Sequence, residues 1–313
     1  MKSYGAPTPL AISPDAPPGD AVLRGGALGD FVLTLPAIAA LRETGDEGML
    51  IIGDPARASL ASPTDIVSAD SAAWSRLYAG SPPEPSLRRR FAGCRRLLAY
   101  VAGGEVAAPG LVASLRQLAD RVVVADPLPV EGEGTHMASH LTRPLAEFGI
   151  RPPVAPLPRV DVPPRTRRRG PVVVHPGSGS PEKCWPVPRF ARILEWISRR
   201  GPAVVLLGPA EEARREQLDP FLPANRLSPA TPIELAEALA GARLYIGNDS
   251  GPGHLAAAVG TPTISLFGPT DASIWRPLGP RSTVIEAPGA NLDSLPVEEV
   301  LGAVEAELAL DPC

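Results

Sequence analysis

The sequence predicts an α/β protein of two domains, each built on a parallel sheet, and three observations carry that prediction. Short apolar runs alternate with stretches of helical periodicity along most of the chain, the pattern of βαβ units. Glycine-rich turns join a strand to a helix at three places. A stretch rich in proline and arginine, residues 151–170, divides the pattern in two and reads as a linker. At 313 residues, with 44 % hydrophobic and 20 % charged residues, each half can bury a core of its own.

The first ordered strand is expected from Ala21, where AVLRG reads as a buried run. GGALGD is a turn, and FVLTLPAIAALRE has helical spacing, with Phe31, Leu35, Ile38 and Leu41 on one side. Gly45 stops this helix, and Pro36 either kinks it or marks its first turn. MLIIGD is the second strand. Residues 55–100 carry no clear boundaries. LRQLADRVVVADPLP reads as a helix and a strand, and HMASHLTRPLAEFGI as a further helix. Beyond the linker, PVVVHPGSGS is a strand and turn, and PRFARILEWISRRG is an amphipathic helix with Phe190, Ile193, Leu194 and Ile197 on one face. AVVLLGP is a strand. TPIELAEALAGA opens with Thr231 and Glu234 in a capping box around Pro232. LYIGNDS, GPGHLAAAVG and TPTISLFGP follow as strand, helix and strand, and LPVEEVLGAVEAEL closes the chain as a helix. The expected division is therefore a mobile tail at 1–20, an N-terminal domain at 21–160, a C-terminal domain at 170–294 and a final helix at 295–313.

Composition narrows the function classes. The net charge of −4 provides no field for nucleic acid. Three cysteines, Cys94, Cys184 and Cys313, form no disulfide framework and no CxxC pair, which suits a reducing, cytoplasmic compartment. No apolar run reaches the length of a membrane span. Met1–Gly19 is proline-rich without an apolar centre, unlike a signal peptide. Of the 30 basic residues only Lys2 and Lys183 are lysines, so a lysine inside a domain stands out.

Three loops carry the candidate chemistry. GNDSGPGHLAAAVG (247–260) puts small residues where a strand meets a helix. There, unsatisfied N–H groups and the helix dipole suit a phosphate, and Asp249 can reach a sugar hydroxyl. A capped turn, with Asp249 or Ser250 as N-cap, fits the same spacing. His254, one turn inside, faces either core or cleft. GGALGD (25–30) places Asp30 at a helix start, where it serves as a base or as an ordinary N-cap. Its glycines, Gly25, Gly26 and Gly29, give GGxxG rather than the GxGxxG of a dinucleotide site. Asp54 nevertheless ends the next strand, so an NAD(P)-dependent oxidoreductase stays open as the alternative. In HPGSGSPEKCWP (175–186), Ser178, Gly179 and Ser180 can wrap an anion and Lys183 can neutralise it. All three loops lie at the carboxyl ends of expected parallel strands, where open sheets bind ligands. Other features are weaker. His136 and His140, four apart on a helix, lack companion metal ligands. RRRFAGCRR (88–96) is a solvated basic face or an attractor for a phosphorylated lipid headgroup.

RGGALGDFVLTLPAIAALR, HPGSGSPEKCWP and GNDSGPGHLAAAVGTPTISLFGPTD resemble, in order, the hallmark segments of the ADP-heptose:lipopolysaccharide heptosyltransferases, glycosyltransferase family 9. The resemblance covers Ala21–Arg42 and most of Pro171–Arg276. It implies a GT-B fold, two Rossmann-like domains facing a cleft, with the acceptor on the first domain and the nucleotide sugar on the second. It implies inverting transfer from an ADP-heptose-like donor to a glycolipid, without metal or cofactor, at the inner face of the cytoplasmic membrane through peripheral contacts. By position, Asp30 matches the base, Lys183 the phosphate-contacting lysine, and Asp249 the aspartate near the donor sugar. Ser250 and Gly251 match backbone contacts to the diphosphate, and His254 a histidine of the same loop. Ser178 and Ser180 complete the donor set; Gly26 and Gly29 lie in the acceptor-side loop. The final helix is expected to pack back toward the first domain. The chain departs from the family at RRLLAYVAGGE (95–105), which stands where the family has a strand ending in a DLQG-like motif. A sugar-nucleotide binding protein without turnover remains a further alternative.

Overall fold

The computed structural model describes residues 18–45, 48–130, 132–163, 170–208, 211 and 225–310. The first lobe holds strands β1 (Pro18–Arg24), β2 (Gly48–Gly53), β3 (Asp65–Ser68), β4 (Arg96–Tyr100) and β5 (Arg121–Ala125). They form one sheet in the order β3-β2-β1-β4-β5, parallel throughout. The strands of the second lobe are β6 (Val172–His175), β7 (Ala203–Leu206), β8 (Arg226–Leu227), β9 (Leu244–Asn248), β10 (Thr263–Phe267) and β11 (Ser282–Glu286). Their order, β11-β10-β9-β6-β7-β8, is again all parallel. Each sheet reverses its winding once, between β1 and β4 in the first lobe and between β6 and β9 in the second. The loops after β1 and β4, and after β6 and β9, therefore border a crevice.

The principal helices are α1 (Leu28–Glu43) and α2 (Met137–Thr142) in the first lobe. The second lobe has α3 (Val187–Ser198), α4 (Pro232–Ala240), α5 (Gly251–Ala258), α6 (Ala272–Trp275) and α7 (Val297–Ala309). Helix α1 runs through Pro36 and buries far more than the one side expected, with Val32, Leu33 and Ala37 also enclosed. The cause is tertiary. It lies between its own sheet and α5, and one apolar cluster runs from Phe31, Leu35 and Ile38 into Leu255, Ala256 and Leu239 of the second lobe. Two glycines allow this approach. A Cβ on Gly251 would lie 2.9 Å from Leu28 Cβ and 3.1 Å from Gly29 N, and one on Gly29 would lie 3.0 Å from the His254 ring.

Several expectations need revision. Strand β1 starts at Pro18, so only residues 1–17 of the expected tail lie outside the described residues. RRLLAYVAGGE does contain a strand, β4, paired with β1 at the centre of the sheet. Residues 151–163 are extended but not loose: Val160 is buried and donates its N–H to Ala258 O at 3.2 Å. The remainder of that stretch, 164–169, lies outside the described residues. Helix α7 does not reach back to the first lobe. Val297, Val300 and Val304 pack with Phe190, Ile193 and Ile197 of α3 on the second sheet, because its apolar stripe meets the open face of that sheet first.

Candidate active site

The β1 loop sets the first side chain. Gly26 has φ +90°, and a Cβ there would lie 2.7 Å from Asp30 Oδ2. That glycine lets the carboxylate fold back to accept Ala27 N–H at 2.7 Å. Asp30 is thus the third residue of α1, not its N-cap. Its other oxygen lies 3.5 Å from Arg24 Nη2, and its side chain stays 27 % exposed toward the cleft. Arg24 is buried over the Tyr100 ring and donates to Thr34 Oγ1 at 3.0 Å. Thr34 in turn donates to Asp30 O at 2.8 Å. Burial lowers the Arg24 pKa while Asp30 and Tyr100 oppose that shift. Nothing in the spacing had marked Arg24 as more than the end of a strand.

In the second lobe the loops after β6 and β9 are stapled together. Asn248, fully buried, donates to Pro176 O at 2.9 Å and Gly177 O at 3.2 Å, and accepts Trp185 N–H at 2.9 Å. Ser178 donates to Asp249 O at 2.7 Å, and Lys183 Nζ pairs with Asp249 Oδ2 at 3.0 Å. Asp249 is buried, and the lysine is about one-third exposed. Ser180 is placed differently. It sits at the base of the Pro181–Lys183 turn, where its carbonyl receives Lys183 N–H at 3.2 Å, and it lines neither cavity of the cleft.

Helix α5 begins at Gly251 after Ser250, whose side chain caps nothing. Its hydroxyl lies 3.2 Å from His175 Nδ1 and 3.4 Å from Tyr245 OH. His175 Nε2 is 3.4 Å from Glu211 Oε2, and Glu211 accepts Gly208 N–H at 2.8 Å. Burial pushes the Glu211 pKa up, but its bonds to His175 and to backbone N–H groups outweigh that and leave it lowered. His254, buried with no partner for Nδ1 among the described residues, has its pKa pushed down to about 4, chiefly by burial.

Two adjoining cavities occupy the crevice. One, of about 320 Å³, has mostly apolar walls from Leu206, Leu207, Pro229 and Leu235, with His175, Glu211 and Thr231 among its polar groups. The other, of about 380 Å³, gathers Asp30, Lys183, Asp249, His254 and Trp275. They share Ala27, Ser178, Gly179, Ser250 and Gly251, so a long ligand can run from one into the other past the start of α5. Gly29 also borders the second cavity.

The remaining candidates are structural. His136 accepts Ala138 N–H at 3.2 Å and meets Arg276 O across the lobes at 2.9 Å, while His140 meets Asp126 O at 2.9 Å. Among the described residues no group of three or more His, Cys, Asp or Glu side chains could hold a metal. In the basic run, Arg90 pairs with Asp65 and Arg96 with Asp20, while Arg88 donates to the neutral Gln117. Asp54 accepts Arg57 N–H at 2.8 Å and pairs with the Arg57 guanidinium at 3.3 Å. Its carboxylate is occupied, which argues against the ribose contact that the oxidoreductase alternative requires. No helix among the described residues is long and apolar enough to cross a membrane.

Comparison with known proteins adds four findings. Residues 135–301 match the model of glycosyltransferase family 9 (heptosyltransferase). A lipopolysaccharide heptosyltransferase 3 from Escherichia coli strain K12 is 34 % identical over 149 residues, 45 % of this chain and 42 % of that protein; the chain thus spans less than half the length of this curated relative. Among solved structures, the E. coli ADP-heptose lps heptosyltransferase II superposes with a TM-score of 0.73 at 17 % identity, over 93 % of this chain and 99 % of that one. A family 9 glycosyl transferase from Veillonella parvula gives 0.72 at 18 %, over 93 % and 97 %. These establish the two-lobed GT-B fold.

Proposed function

The chain belongs to glycosyltransferase family 9, the heptosyltransferases, and on that premise we propose that it transfers a heptose-like sugar from an ADP-sugar to a glycolipid acceptor with inversion. The observation that carries this reading is the continuity of the two cavities around the start of α5. The apolar cavity suits a flat nucleobase, with Glu211 near enough for a ribose hydroxyl. The diphosphate lies at the shared wall, between the first turn of α5 and Lys183. The sugar then falls in the second cavity beside Asp249, facing Asp30.

The chemistry follows from those positions. The acceptor hydroxyl gives its proton to Asp30 as its oxygen attacks the anomeric carbon. The bond from that carbon to the diphosphate oxygen breaks, and its electron pair leaves with the nucleotide. Lys183 and the N-terminus of α5 stabilise the charge that develops there. One carboxylate suffices, because a nucleoside diphosphate leaves without protonation, unlike the alkoxide of a glycosidase. Ala27 N–H and Arg24 fix the orientation of Asp30. The lipopolysaccharide heptosyltransferases similar to this chain suggest the acceptor class, and a lipid acceptor would bring the enzyme to the cytoplasmic membrane surface.

A thermal-shift series with ADP, UDP, GDP and NAD, followed by donor-turnover assays, tests the reading. Stabilisation by ADP above the others, with sugar transfer to a lipopolysaccharide-core acceptor, is the expected result. Preference for NAD overturns it. Binding of the sugar nucleotide without turnover identifies a silent binding protein instead.

A further inference from the structure

The second cavity of the crevice has a lining suited to a ligand with two unlike surfaces. Its polar groups include Asp30, Lys183, Asp249 and His254, and its large apolar side chains are Leu33 and Trp275. Leu33 is wholly enclosed in the core, whereas Trp275 is partly exposed. Trp275 therefore supplies the apolar surface that a ligand meets there. Among the described residues it is also the only Phe, Tyr or Trp side chain that lines either cavity. The other tryptophans are engaged elsewhere. Trp74 and Trp185 are wholly buried, and the Trp196 ring is covered by Arg200 at 3.8 Å.

The indole is held in place before any ligand arrives. Trp275 ends the short helix α6, and Asp271 caps that helix by accepting Ser273 N–H at 2.8 Å. Trp275 N–H reaches Asp271 O at 3.1 Å, which ties the turn together. The next residue, Arg276, presents its carbonyl to His136 Nε2 of the first lobe at 2.9 Å. Because His136 Nδ1 accepts Ala138 N–H, the proton of the neutral imidazole lies on Nε2 and is donated to that carbonyl. The Trp275 side chain also packs on the apolar cluster shared by α1 and α5. A side chain ordered in advance loses little rotamer freedom on binding.

A pyranose ring carries hydroxyls around its rim and C–H groups on its faces. Polar side chains can take the rim, and an aromatic face can cover the C–H groups and remove apolar area from water. We propose that Trp275 is a donor-recognising residue whose indole packs against a C–H face of the transferred sugar while Asp249 takes hydroxyls at its rim. This rests on the donor reading above. Trp275 stands on the same lobe as Asp249 and Lys183, and so meets the donor sugar rather than the acceptor. The contact is made by the sugar nucleotide and not by the nucleoside diphosphate left after transfer. It therefore favours the incoming donor over the spent one.

The test uses the full chain and measures ADP and ADP-heptose affinities by calorimetry, with the acceptor KM from transfer assays. Trp275→Ala is expected to weaken ADP-heptose about tenfold and ADP by less than about twofold. Trp275→Leu, which keeps the packing on the cluster but removes the ring, is expected to show the same pattern at about fivefold, and serves if Trp275→Ala does not fold. Trp275→Phe restores an aromatic face and is expected to recover most of the loss. Equal losses for ADP and ADP-heptose, the mark of a packing role between the lobes, overturn the proposal. Unchanged ADP-heptose affinity also overturns it, and a raised acceptor KM in that case would assign the indole to the acceptor. Failure of the unaltered protein to bind ADP at all instead overturns the donor reading, and this proposal with it.

Discussion

The two lobes present the same construction to the cleft and finish it in opposite ways. In each, a central strand ends at the point where the sheet reverses its winding, and a glycine turn leads into a helix whose start faces the other lobe. The start of α1 is occupied from within: Asp30 folds back onto Ala27 N–H and brings a carboxylate to the positive end of the helix. At the start of α5 the N-cap side chain, Ser250, is turned away from its helix toward His175, and Gly253 N–H is met by Ser250 O instead. On the proposed function, the first helix start supplies the base and the second faces the diphosphate. The lobes differ there in the direction of one side chain, Asp30 turned onto its own helix and Ser250 turned away from it.

That contrast can be broken in several ways. The largest effect is expected from Asp30→Ala, which should lower transfer by about a thousandfold while ADP affinity holds. Turnover near the unaltered rate would show that the first lobe does not supply the base. Next is the buried His254. Its folded pKa, about 4, lies below the ordinary value of 6.5. The unfolded chain therefore takes up a proton first as pH falls, and stability present above pH 6.5 is lost progressively toward pH 4. The loss is on the order of 3 kcal/mol. Thermal melts across that window should fall more steeply for the unaltered protein than for His254→Gln; parallel curves would mean that the imidazole is not held neutral between the lobes. Lys183→Ala should weaken ADP by about thirtyfold, the range of a charge-assisted hydrogen bond. Unchanged affinity would assign the lysine to Asp249 alone. Smallest is Gly251→Ala, whose added methyl group presses on Leu28. A loss of about 1–2 kcal/mol in chemical denaturation is expected, and no loss would mean that the contact between the helix starts yields freely.

Much of this contrast was legible in the sequence, for a local reason. The turns at Gly26, Ser178 and Gly251 follow their strands within a few residues, so glycine and serine spacing marks them directly. Asp30, Lys183 and Asp249 stand within those same turns. What stayed hidden depends on contacts between distant segments. His175 and Glu211 are 36 positions apart and come near each other at the ends of neighbouring strands, β6 and β7. Asn248, at the end of its strand, carried no signal of its own, because its three partners lie in the loop after β6. The residues of α1 were read as having one apolar side because its second neighbour, α5, lies more than two hundred residues away. The final helix was misplaced for a related reason. Its stripe of Val297, Val300 and Val304 says that it packs, but not on which lobe.

The apolar cluster shared by α1 and α5 has a consequence for cooperativity. Phe31, Leu35 and Ile38 are enclosed partly by Leu239, Leu255 and Ala256. Cutting the chain in the stretch between the lobes would leave each fragment with a water-exposed apolar face that the intact chain never shows. Calorimetric melting of the whole protein should accordingly give one peak rather than two, with the van't Hoff and calorimetric enthalpies in agreement. A single peak would make the two lobes one domain in thermodynamic terms.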